Sequence, residues 1–130
     1  MPSLTISIPP DSLRVNARSG RSWTVASADK ADYQETVRKE ALVQGSAWKG
    51  WAPPNGWPVH VHVVAYLGMA ESGKRMQRAD PWDMLTWLKS AVDALVSMGV
   101  FPDDSEAYTN PVTVTVAKDR QRPRCELHWE

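Results

Sequence analysis

Four aspartates, Asp80, Asp83, Asp103 and Asp104, stand at the two ends of one strongly periodic apolar segment, and Lys89 lies between the pairs. Carboxylate oxygens are what a hard divalent cation such as Mg²⁺ takes, with water and phosphate oxygens completing the shell. An ion held this way activates water and stabilises a leaving oxygen in phosphodiester hydrolysis. A lysine beside it neutralises phosphate charge or orients a carboxylate. Each acid also has a purely structural account. Asp80 caps a helix ahead of Pro81, Asp83 meets the positive end of the helix dipole, and Asp103 and Asp104 turn the chain after Pro102. Taken together, the set points to a divalent-metal site built from Asp80, Asp83 and one of Asp103 and Asp104, with Lys89 beside them.

The elements that must position these acids follow from periodicity. From Pro81 to Gly99, Leu85, Leu88, Val92, Leu95 and Val96 recur at three- and four-residue spacing and predict a helix ended by the glycine. Val59 to Leu67 alternates as a strand with His60 and His62 on one face. Two histidines so spaced are either metal ligands or the solvent side of a one-sided sheet. Val112 to Val116 is a second strand and Arg124 to Trp129 a third; the basic turn Lys118 to Pro123 is expected to close them as a hairpin. Leu4 to Ile8 reads as a short strand ending at Pro9-Pro10, Asp11 to Arg21 as a loop, and Ser22 to Val25 as a brief strand. Ser27 is expected to cap a helix running to about Leu42 or Gln44, with Ala31, Val37, Ala41 and Leu42 facing inward. Gly45 to Pro58, with Trp48, Trp51 and Trp57, reads as a packed loop, and Gly68 to Ala79 as a polar, basic one. The fold expected is α+β: one domain over residues 1–130, with a small mixed sheet of four or five strands and two main helices on one face.

Fifteen basic and fifteen acidic residues cancel, so no overall charge draws the chain to nucleic acid. The basic side chains nevertheless gather between elements, at Arg14, Arg18 and Arg21, at Lys74, Arg75 and Arg78, and from Lys118 to Arg124. Asn16, Arg18, Arg21, Lys74, Arg75, Arg78, Arg120 and Arg122 form a candidate set converging on a phosphate backbone; as isolated loop charges they are simply solvated. A single cysteine forms no internal disulfide. With no leader-like segment and no membrane-length apolar run, the expected location is the cytoplasm, with no membrane partner.

The run Arg78-Ala79-Asp80-Pro81-Trp82-Asp83, then Lys89, Asp93-Ala94-Leu95, Gly99 and Asp103-Asp104, resembles the signature of RusA-type Holliday junction resolvases. The N-terminal part is similar too, with a strand ending in Ile8-Pro9-Pro10, then Asn16, Arg18 and Arg21, then a long helix. The resemblance implies a homodimeric, Mg²⁺-dependent endonuclease (Mn²⁺ substituting) of bacterial or phage origin. Such an enzyme nicks four-way DNA junctions symmetrically in recombination, repair or phage DNA processing. It implies catalytic roles for Asp80, Lys89 and the Asp103-Asp104 pair, with Asp104 as the metal ligand of that pair beside Asp80 and Asp83. The sequence departs from the pattern in one respect: the family's second aspartate and its asparagine fall on Leu85 and Thr86, and Asp83 is the nearest carboxylate. A non-catalytic protein that binds branched DNA on the same scaffold is the alternative.

An unbroken helix from Pro81 to Gly99 is about 28 Å long, and Asp103 reaches back at most roughly 14 Å from its end. The two acidic pairs are therefore expected to meet across a dimer, or on a helix broken near Met84-Leu85.

Overall fold

The Val59–Leu67 segment lies inside the sheet because it is the most continuously apolar run that alternation can bury on one side. The computed structural model describes residues 2–9, 23–68 and 81–130, with side chains at all of these except 23–27 and 81–87. Along the chain come β1 (Ser3–Ile6), α1 (Trp23–Val43), β2 (Val59–Leu67), α2 (Pro81–Ser97), β3 (Thr109–Lys118) and β4 (Arg124–Trp129). The four strands form one mixed sheet in the order β1-β4-β2-β3, with β2 parallel to β3 and antiparallel to β4. The fold is α+β with a four-stranded mixed open sheet and two helices. Among the described residues no helix is long and apolar enough to cross a membrane.

The expected hairpin between the last two strands does not form. β3 and β4 are separated by β2, and residues 119–123 carry the chain across its end. Five residues easily span two strand spacings of about 4.8 Å. The crossing is anchored where Asp119 N–H donates to Leu67 O at 2.9 Å. Asp119 Oδ1 also accepts the N–H groups of Gln121 and Arg122. Gly68 lets the crossing pack tightly, since a Cβ there would stand 3.0 Å from Pro123 Cγ. Separating the two strands gives β2 a neighbour on each side, which a hairpin would deny it.

One face of the sheet is the core. Leu4 pairs with Leu127 and Ile6 with Cys125, while Val61, Val63 and Ala65 face the same side from β2. Both helices pack on this face through Tyr33, Val37 and Ala41 and through Leu88, Ala91, Ala94 and Leu95. The small Ala91 and Ala94 let α2 lie close to α1. The inward stripe of α1 differs from expectation, since Ala31 and Leu42 are exposed and Tyr33 is buried. Tyr33 is a workable core residue because its hydroxyl donates to Ser7 O at 2.8 Å. Burial raises that hydroxyl's pKa well above its ordinary value. Helix α1 also begins at Trp23, where a brief strand was expected. Trp, Thr and Val each favour strands, but the run is only three residues long, and a formed helix extends through it at modest cost. Gly45–Ala47 forms one 3-10 turn, after which Trp48 and Trp51 pack against the core as the packed-loop reading expects.

Candidate functional site

The site begins with how α2 stops. Gly99 adopts φ 84°, open to glycine and strained for other residues. Its N–H donates to Val96 O at 3.0 Å and that of Val100 to Leu95 O at 3.1 Å, the paired bonds of a Schellman cap. The cap reverses the chain, and Val100 and Phe101 then drop into the core, with Phe101 edge-on to Trp129 at 5.1 Å. Residues 100–104 are thereby drawn back along the helix.

That return brings Asp104 to the third turn of α2. Lys89 Nζ donates to Asp104 Oδ2 and also to Asp93 Oδ1, the latter at 3.0 Å. Asp103 does something else. Its Oδ1 accepts the Asp104 N–H at 2.9 Å, and Thr109 Oγ1 donates to Asp104 O at 3.0 Å, so the turn is held from both sides. Asp104 faces the helix, and Asp103 shapes the bend that aims it.

Lys89 is 57% exposed and Asp104 32%, so the pair is open to solvent. Beside it lies a cleft of about 300 Å³ walled by Val63, Leu88, Phe101 and Leu127, with Lys89 and Asp104 at its mouth. An apolar wall on one side lowers the effective dielectric and strengthens whatever electrostatic contact is made there. The Lys89–Asp93 pair, four residues apart on an exposed helix face, contributes only about 0.3–0.5 kcal/mol to stability.

The other predicted residues divide into three groups. Asp80, Asn16, Arg18, Arg21, Lys74, Arg75 and Arg78 lie outside the described residues. Asp83 occupies the first turn of α2, its side chain likewise outside the description. Arg120 and Arg122 are exposed on the crossing loop, at the opposite end of β3 from Asp104 and about 30 Å away along the strand. The structure therefore does not bring these two arginines to Lys89.

The helix is unbroken from Pro81 to Ser97, about 25 Å, so the break considered near Met84-Leu85 does not occur. The folded-back return still changes the reach argument. Asp104 meets the Lys89 side chain where it also bonds Asp93, which puts it about 9–15 Å along the axis from position 83 rather than a helix length away. Asp93, not among the sequence-predicted catalytic residues, joins the cluster; its signal was the four-residue spacing from Lys89.

A second charged cluster sits on the face away from the helices. Arg124 donates from Nη1 to Asp119 Oδ2 and from Nε to Glu126 Oε2, both at 2.8 Å, and lies 3.9 Å over the Tyr66 ring. The hydrogen bond from Arg124 is the first cause holding both carboxyls below their ordinary range, and the two carboxylates raise the guanidinium in turn. Burial pushes the Cys125 thiol up to about 12, which leaves no thiolate nucleophile at neutral pH.

No family model matches the chain, and no curated protein matches it. Among the described residues, no three His, Cys, Asp or Glu side chains stand ready to close on a metal ion. What the described part of the acidic site offers is hard carboxylate oxygen, half-exposed at the mouth of a cleft. That donor chemistry fits Mg²⁺, which commonly takes one or two carboxylates and fills its shell with water and phosphate.

Proposed function

We propose that the chain is a RusA-like, Mg²⁺-dependent, structure-selective DNA endonuclease that resolves four-way junctions as a homodimer. The observation that carries this reading is the meeting of Asp104 with Lys89. Fifteen residues apart in sequence, they join on the helix that opens with Asp80 and Asp83.

In this reading Asp104, with Asp80 and Asp83, would hold the ion. When bound, the ion supplies an activated water and stabilises charge on the leaving oxygen. Lys89 holds Asp104 in place and presents positive charge where a phosphate enters. Asp93 keeps the Lys89 stem directed along the helix face. Asn16, Arg18, Arg21, Lys74, Arg75, Arg78, Arg120 and Arg122 are assigned to the flanking phosphate backbone, where they position without reading sequence. In this reading the dimer supplies two sites for two matched cuts.

The test is cleavage of a synthetic four-way junction by the purified protein with Mg²⁺, against linear duplex and against EDTA. Paired nicks on the junction alone, dependent on the ion, are the expected result. Tight junction binding without nicking would instead favour a non-catalytic branched-DNA-binding protein. One observation favours that second reading, because Lys89 already satisfies both neighbouring carboxylates.

A further inference from the structure

The face of the sheet turned away from the helices carries all three histidines of the chain. His60 and His62 are two residues apart on β2, on the side opposite the buried Val59, Val61 and Val63. His128 on β4 is the register partner of His62. His60 and Glu130 exchange both backbone hydrogen bonds, at 3.0 and 3.2 Å. Pairing types alternate along an antiparallel ladder, so His62 and His128, one pair further on but one, are again a bonded pair, with Cα atoms about 5.5 Å apart. Sequence alone puts two histidines on one strand; only the register adds the third.

The side chains already converge in part. His60 Nε2 and His62 Nδ1 both end on the Thr113 hydroxyl, at 2.9 and 2.6 Å. One oxygen within reach of two imidazole nitrogens marks a point that both rings address. His128 Nε2 has only a long contact to Glu126 Oε1, 3.4 Å, and is free to turn from it. A hollow of about 270 Å³ opens over the three rings, with Glu130 on its rim. In the present arrangement the three do not close round one point, consistent with the lack of a ready-made cage among the described residues. The Thr113 oxygen lies over β3, across β2 from His128, so an ion shared by all three rings would stand in the hollow over β2 and β4 instead. The movements required are the turning of His60 and His62 from the β3 hydroxyls of Thr113 and Thr115 and of His128 from Glu126.

We propose that this face takes up a zinc-class divalent ion, held by His60, His62 and His128. Three imidazoles with a fourth position open to water or Glu130 form a recurrent tetrahedral zinc arrangement. Imidazole nitrogen selects Zn²⁺, Cu²⁺ or Ni²⁺ over Mg²⁺, so this ion is chemically distinct from the one assigned to the carboxylates. The two sites also lie on opposite faces of the sheet, and this inference stands whether or not the chain is a nuclease. Bound here, the ion ties β2 to β4 across the middle of the sheet and stabilises the folded chain in proportion to its occupancy.

The experiment is calorimetric titration of the EDTA-stripped, full-length protein with Zn²⁺ in excess Mg²⁺, followed by visible spectroscopy with Co²⁺. One ion per chain with Kd below about 10 µM is expected, together with the intense visible bands of tetrahedral Co²⁺. His62→Ala and His128→Gln should each weaken binding at least about tenfold, by analogy with the smaller losses seen when only supporting residues are removed. Both positions are at least partly exposed, so metal-free melting temperatures should match the parent. Binding should weaken as pH falls, because histidine ligates only as the neutral ring. The proposal is overturned by affinity unchanged in both histidine variants, by weak octahedral Co²⁺ bands, or by Zn²⁺ binding lost in Asp104→Asn alone.

Discussion

Two clusters in this protein share one pattern, a cation set between two carboxylates, and serve different ends. Arg124 sits between Asp119 and Glu126; Lys89 sits between Asp93 and Asp104. Arg124 is a planar fork, 18% exposed and stacked on Tyr66, and it spends its donors on two short bonds and the Arg122 carbonyl. It clamps the crossing loop to the sheet. Lys89 is a point charge on a flexible stem, three times as exposed, beside an apolar cleft. Its carboxylates are partly exposed, where an incoming cation can use their oxygens. The same charges thus make a structural clamp when stacked and forked, and an approachable site when exposed beside a dry wall.

The widest separation between the two clusters should come from Asp104→Asn. Junction cleavage is expected to fall on the order of 10³-fold with the melting temperature little changed, measured by single-turnover kinetics and thermal unfolding. A large loss of stability with it would put Asp104 in the same class as Arg124's partners. Mixing Asp104→Asn with Asp83→Asn sharpens where each site resides. If both acids of a site come from one chain, the mixed dimers remain inactive; recovery of one nick per junction would mean a site shared between chains. Lys89→Gln is expected to lower cleavage about 10²-fold while metal affinity changes less.

Arg124→Gln should do the reverse, lowering the melting temperature by a few degrees and leaving cleavage per folded molecule in place. The smallest effect is on acid stability. Asp119 and Glu126 are held below the ordinary carboxylate range, first by hydrogen bonds from Arg124. A lowered folded-state pKa means the unfolded chain binds more protons in acid, so this contribution is complete above about pH 4 and lost as pH falls through the lower folded values. Urea midpoints should therefore drop less between about pH 5 and pH 3 in Arg124→Gln than in the parent. Equal slopes would show that the clamp carries no proton linkage.

The local elements were legible wherever one residue pattern repeated over several turns or pleats. Alternation marked β2 across its whole length, three- and four-residue spacing marked α2, and Gly99 marked its end because only a residue free to take positive φ closes the helix there. Short, conflicted segments were not legible: Trp23 to Val25 favours strand by residue type but is only three residues long, and was absorbed into α1. The acids and Lys89 could be picked out by type and order alone. That Asp104 returns to the third turn, that β2 comes between β3 and β4, and that His128 stands beside His62 were decided by tertiary structure. Those facts depend on contacts between residues far apart in the chain, set by which apolar faces bury together, and no local periodicity encodes them.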